Sequence, residues 1–262
     1  MIRALKTAST GMSAQKNYID VIANNLANVN TTGYKRSSIE FQDLLYETLR
    51  TTGVADDLQR YTPTQLQVGY GTRPIATQKS FAQGEMRQTD NPLDVAIQGR
   101  GFIQVSLPDG SNGYTRDGSL KLSSDGTLVT SEGYKVEPNI VIPREATNVS
   151  IGKTGTVSVL VPGDPEPIGL GQINLATFMN PAGLENMGGN MYKETAATGQ
   201  PEILPPGENN TGVLLQGYLE AANVDVVNEM VEMIMAQRAY EINSKVITTA
   251  EQMLATINNL KR

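Results

Sequence analysis

The stretch ANNLANVNTTGYKR, residues 23–36, is where the chain changes its periodicity. Upstream of it, Leu5, Met12, Ile19 and Leu26 recur every seven residues, and Ile2, Ala8, Ile22 and Val29 form a partner stripe interrupted by Gln15. That is the spacing of a helix that pairs along a seam. Within the stretch, Asn24, Asn25, Asn28 and Asn30 crowd the helix end. Asn is a poor helix-interior residue, but it caps helices and enters the left-handed region. Gly33 supplies a turn, and Tyr34 follows as an apolar anchor. A helix stop accounts for Asn30–Gly33 but not for Asn24 and Asn25. Amides beside the Leu26/Val29 seam need hydrogen-bond partners, so Asn24, Asn25 and Asn28 are expected to set register against a neighbouring chain.

The far end of the chain repeats the pattern. Val226, Met233, Tyr240, Ile247 and Leu254 are spaced by seven, with Ala236, Ala250 and Ile257 three residues on. No Gly or Pro interrupts 224–262, which predicts one long helix. Strict sevens at both ends favour helices that pair with each other and with copies of themselves over helices docked on a sheet. One chain cannot bury both seams, so the two ends are expected to be disordered in the monomer and helical in a polymer.

Between the ends the chain reads as an arm and a body. Residues 37–72 are polar with scattered Leu and Tyr, too long for a bare loop, and are expected to form an extended arm or hairpin with a short helix at 40–50. Its Tyr46, Leu49, Leu58, Tyr61, Leu66 and Tyr70 are enough to dock against neighbouring subunits and stiffen an assembly. From about 73 the period becomes two, as in Leu93, Val95 and Ile97, and Asp-Gly pairs separate short apolar runs. These are hairpin signals. Residues 180–212 are rich in Gly, Pro and Asn and read as irregular. The expected architecture is α+β: long N- and C-terminal helices forming a coiled-coil layer, plus a central, mostly antiparallel β domain. The segments are 1–36, 37–72, 73–222 and 223–262.

Composition removes most chemistry. The chain has no Cys and no His, so thiolate, serine-triad and His-ligated metal catalysis are excluded. The doublet in GRGF, residues 99–102, lies between strands and lacks the third glycine of a dinucleotide loop. The turns around Asp109 and Asp117 lack a calcium loop's spacing. Glu85, Asp90 and Asp94 are a sparse acidic group with no evident opposed pair, which leaves a carboxylate-only cell-wall hydrolase as a remote alternative. No catalytic, cofactor or metal residue is assigned. The net charge of −6 argues against a nucleic-acid partner. That charge is uneven: +4 over 1–36, −9 over 37–223 and −1 over 224–262.

The opening stretch resembles the N-terminal signature of bacterial flagellar axial proteins, which form the rod and hook. LEAANVDVVNEMVEMIMAQRAYEINSKVITTAEQML, residues 219–254, resembles their C-terminal signature, and DVAIQGRGFIQV and FMNPAGLENMGGNMYKETAATGQP resemble their central region. The resemblance covers essentially the whole chain. Length and residues 46–74 are most similar to members of the distal rod, with the proximal rod or a short hook protein as the alternative. The resemblance implies a non-enzymatic subunit of a hollow helical polymer, with its helices lining an export channel. It implies as partners other copies of the chain, proximal rod proteins, hook protein, the peptidoglycan-layer and outer-membrane ring proteins, and the flagellar export apparatus. It places the protein in the basal body, in the periplasm, exported without a cleaved signal.

Overall fold

The computed structural model describes residues 2–54, 61–62, 64–162 and 166–260. The chain folds as two compact units, one built from Met1–Leu26, Ser37–Gln78 and Asp225–Arg262, the other from Ala27–Arg36 and Lys79–Val224. This grouping differs from cuts at 36, 72 and 222: the Asn-rich turn belongs with the β body, and the arm belongs with the helices.

The first unit contains helix α1, Ile2–Ala27, and helix α2, Val226–Leu260. Asp225 caps α2, its Oδ1 accepting the backbone N–H groups of Val227 at 2.9 Å and Asn228 at 3.3 Å. The two helices run antiparallel: Asn25 meets Glu229, Tyr18 meets Glu232, and Gly11 lies against Asn243. Both ends are thus helical in the single chain, where the sequence expects order only in a polymer. Each helix finds one partner in the other.

The arm is a hairpin of nested pairs. Strand Ser37–Asp43 pairs with Thr72–Lys79, Tyr46–Arg50 with Leu66–Gly69, and Gly53–Val54 with Tyr61–Thr62. The short helix expected at 40–50 is replaced by strand. Ile39 and Phe41 alternate with Glu40 and Gln42 at period two, and each half finds its backbone partners in the returning strand. Leu44 and Leu45 mark a break between paired pieces, bridged by Leu44 N–H to the Gly71 carbonyl at 2.8 Å and Tyr70 N–H to the Leu45 carbonyl at 3.1 Å.

The second unit is antiparallel β. Its largest sheet runs, among the described residues, Lys121–Leu122, Leu128–Val129, Lys135–Val136, Phe102–Ser106, Asn112–Thr115, Met191–Lys193 and Glu185–Gly188. Leu175–Thr177 joins it through Phe102–Ser106 and carries Glu202–Leu204. Asp-Gly turns close the hairpins as read, with Gly126 N–H donating to the Ser123 carbonyl at 2.9 Å. The region 180–212 is not irregular throughout. It holds paired strands, and some of its glycines and asparagines turn the chain between them, Gly189 and Asn190 both standing at φ 58°. Ile97, Ile103, Val105, Leu128, Val157 and Leu214 are among the buried core residues. A second cluster is aromatic: Phe102, Tyr114, Phe178 and Tyr192, with Phe81 against them.

Candidate assembly surface

In the helix unit, the side chains that turn inward are, Ile22 apart, small or polar. Ala8, Ala14, Ile22 and Asn25 are the buried residues of α1, and Glu229, Ala236 and Ala250 are buried on α2. A Cβ on Gly11 would come within 3.0 Å of the Asn243 amide, so the helices approach closely where side chains are least. Asn25 answers the question raised by the Asn-rich stretch. Its Nδ2 donates to the Ser37 carbonyl at 2.8 Å and to Glu229 Oε2 at 3.1 Å, while its Oδ1 accepts Ser37 N–H at 2.9 Å. It is bonded within its own chain, where the sequence reading expects a neighbour. It joins the end of α1 to the root of the arm and to α2.

The residues read as a seam are placed unevenly. Leu5, Met12, Ile19, Leu26, Met233 and Ile247 are half-buried, and Ile22 is buried. Val226, Tyr240, Leu254 and Asn24 are exposed, and Asn28 and Val29 are half-buried. Much of α2 is apolar and uncovered, including Met235 at 66% exposure and Ile242 at 62%. A helix that is apolar on several faces belongs in the interior of a larger body.

The arm adds to this surface. Leu45 is 84% exposed, and Tyr46, Leu49 and Leu66 are exposed as well. Tyr70 is half-buried and donates its hydroxyl to Glu47 Oε2 at 2.6 Å, and Glu47 also pairs with Arg3 at 2.7 Å. Leu58 lies outside the described residues; Tyr61 is described only as strand backbone. Lys6 lies over the Tyr70 ring and Tyr18 meets Phe41 edge-on, so the arm's root is carried on α1.

In the β body, the turn 27–36 is held by a buried ionic group that the sequence reading missed. Lys35 Nζ donates to Glu220 Oε1 at 2.7 Å and to the Ala82 carbonyl at 2.8 Å, with both partners of the ion pair fully buried. Gly84 N–H donates to the same carboxylate oxygen at 2.8 Å. Arg116 stands 3.5 Å from Glu220 Oε2 and donates to the carbonyls of Gly99 and Gly101. Asn223 completes the clasp, accepting Arg36 N–H at 2.7 Å and donating to the carbonyls of Ser80 and Ala82. The one signal available in the sequence is that Lys35, Arg36, Glu220 and Asn223 sit inside the two terminal signatures, GYKR and LEAANV.

Gly33 is required at this turn. Its φ is +70°, and a Cβ there would meet the backbone of Arg116 and Asp117 at 2.8 Å. Gly33→Ala is expected to cost about 2 kcal/mol or more, from the left-handed backbone and the displaced Arg116–Asp117 backbone. A thermal melt of the purified chain measures it, and an unchanged melting temperature counts against this reading.

The clasp also sets a pH dependence. Burial, and then the Arg116 charge, lower Lys35 to about 8 from an ordinary 10.5, with Glu220 pulling the other way. Burial lowers Lys79 too. Between about pH 8 and 10 the unfolded chain holds protons that the folded chain has released, so stability rises with pH, on the order of 2 kcal/mol. Above that range the slope reverses, because burial raises the hydroxyls of Tyr114 and Tyr192 and the folded state keeps their protons longer. Urea midpoints across this range should rise and then fall; a monotonic fall from pH 8 contradicts the assignment.

Three family signatures match the chain. Residues 5–35 match "Flagella basal body rod protein", 96–159 match "Flagellar hook protein FlgE/F/G D1 domain", and 215–260 match "Flagellar basal body rod FlgEFG protein C-terminal". The chain is 52% identical, over 264 residues and the whole of both chains, to the flagellar basal-body rod protein FlgG of Borreliella burgdorferi. It is 50% identical over 260 residues to that of Buchnera aphidicola subsp. Schizaphis graminum, covering 99% of this chain and all of the relative. For the Bacillus subtilis protein of the same name, identity is 38% over 267 residues and both chains are covered in full.

Proposed function

The chain belongs to the flagellar basal-body rod proteins, and from that premise we propose that it is the subunit of the distal rod, a hollow helical shaft that carries torque to the hook. Its membership makes it a structural component of the basal body. The observation that carries the finer reading is α2, a helix of 35 residues with large apolar side chains left uncovered along its length. Copies of α1 and α2, paired as coiled coils through Leu5, Met12, Ile19, Leu26, Met233, Tyr240, Ile247 and Leu254, would cover them in an inner tube around the export channel. The β body would form the outer layer. The proximal rod, the hook protein, the peptidoglycan-layer and outer-membrane rings and the export apparatus are its partners on this reading, in the periplasm. Basal bodies from cells lacking the gene, viewed by electron microscopy, test it. Truncated rods restored by the wild-type gene are expected; full-length rods without the gene overturn it.

The arm has a mechanical role on this reading. An exposed hairpin with apolar residues on its surface bridges neighbouring subunits and removes the sliding that a bending polymer needs. Replacing Tyr46–Gly69 by a two-residue Asn-Gly turn closes the hairpin where Leu45 and Tyr70 already bond. The purified variant should melt as the wild type does, and its rods should be curved. Straight rods of normal stiffness refute the role.

A further inference from the structure

We propose that the β body carries a head-to-tail docking pair between copies of this chain, with Met179 and Arg100 of one copy seated on the groove rimmed by Met187, Asp109 and Glu132 of the next. The proposal rests on the rod-subunit reading. Met179 is 97% exposed, yet its backbone is pinned on both sides. Before it, the buried Phe178 ring packs edge-on against Tyr114 at 4.8 Å and Phe102 at 5.7 Å. After it, Asn180 Nδ2 donates to the Ala197 carbonyl at 3.2 Å, and a short turn follows at Pro181–Gly183. A long apolar side chain held in solvent by a fixed backbone is a knob. Arg100 is exposed and lines the same cavity as Phe178 and Pro181, the residues on either side of the Met179–Asn180 pair, and it supplies the cation on this side of the β body.

The groove has the opposite character. It is a hollow of about 370 Å³ floored by the buried Leu107 and Met191, with Met187 at its edge and Asp109 and Glu132 on its rim. Gly188 leaves open space on one wall, and the Glu132 carboxylate packs over Gly189 where a Cβ would stand. Asp109 is held as a carboxylate by the Ser111 hydroxyl at 2.6 Å and the Ser111 N–H at 2.9 Å. Lys193 also lies near Asp109, and Glu132 is the second carboxylate of the rim. The occupant that fits is apolar, flexible and flanked by a cation, which is what the Met179 patch offers. Thioethers adapt well to such gaps and to aromatic neighbours. The two patches are different surfaces, so the contact is heterologous and propagates into a filament rather than closing a dimer.

The chain has no cysteine, so an introduced pair reports without background. Met179→Cys with Met187→Cys, placed in the cells' own gene and oxidised in isolated basal bodies, should give a ladder of dimers, trimers and larger species on a denaturing gel. Either single variant should stay monomeric. Rods that assemble but give no ladder, or dimers from Met179→Cys alone, overturn the proposal and leave the rod reading standing. Wild-type basal bodies without this chain in the rod would defeat that reading instead. A second arm covers a cysteine pair that fails to assemble. Arg100→Glu and Glu132→Arg should each deplete rods, and the two together should restore them, with the melting of the purified chains unchanged throughout. Absence of restoration by the double swap also overturns the proposal.

Discussion

Glu220→Ala is expected to lower the stability of the β body by about 3–5 kcal/mol, because it leaves buried cations without a counter-charge. Lys35 and Arg116 both face this carboxylate, and both are shut off from solvent. The group already holds one more positive charge than negative. Removing the carboxylate leaves two buried cations without a counter-charge: Lys35 keeps the Ala82 carbonyl, and Arg116 keeps the Gly99 and Gly101 carbonyls and the face of Phe102. The Gly84 N–H loses its acceptor as well. A urea denaturation of the purified chain measures the loss. Two companions separate charge from shape. Glu220→Gln keeps the volume and one acceptor, and should still lose most of the stability. Lys35→Met combined with Glu220→Ala removes one stranded cation and should be less damaged than Glu220→Ala alone. If the double variant is worse than the single one, the cost lies in packing and the ionic account fails.

That ionic group shows where a sequence stops being readable. Lys35, Arg116 and Glu220 come from three distant parts of the chain, and each one alone looks like a solvated surface charge. Only the fold of the β body brings them together. The helices are the opposite case. An uninterrupted run from 224 with apolar sevens reads directly as α2, and the alternation at Val95 and Ile97 reads directly as strand. On α2 the apolar sevens select Val226, Met233, Tyr240, Ile247 and Leu254, with Ala236, Ala250 and Ile257 three residues on; in the single chain Ala236 and Ala250 turn inward together with Glu229, a charged residue that an apolar search passes over. Close approach between helices favours small residues, which carry little hydrophobic signal. Asn25 was singled out correctly as more than a helix stop, and its partners could not be known, because an amide bonds as readily to its own chain as to another.

Met235→Asp and Ile242→Asp are each expected to abolish rod growth while leaving the isolated chain as stable as the wild type. Both side chains are mostly solvent-exposed in the single chain, so a carboxylate there meets water, and surface changes of this kind stay within about 0.5 kcal/mol. In the assembled tube, the same positions are to be covered by neighbouring helices. A carboxylate buried there without a partner costs several kcal/mol, and about 3 kcal/mol per contact already weakens association roughly a hundredfold. The contact recurs at every subunit, so the penalty is met at each step of growth. Ala236→Asp supplies the contrast. Ala236 is buried within the single chain, so a charge there should disrupt the helix pair itself and lower the melting of the purified protein as well as assembly. Motility in soft agar, micrographs of basal bodies and thermal melts of the purified chains together read the pattern. Motile cells with full-length rods carrying Met235→Asp would show that this face of α2 looks into solvent in the rod, and that the tube is sealed through a different set of residues.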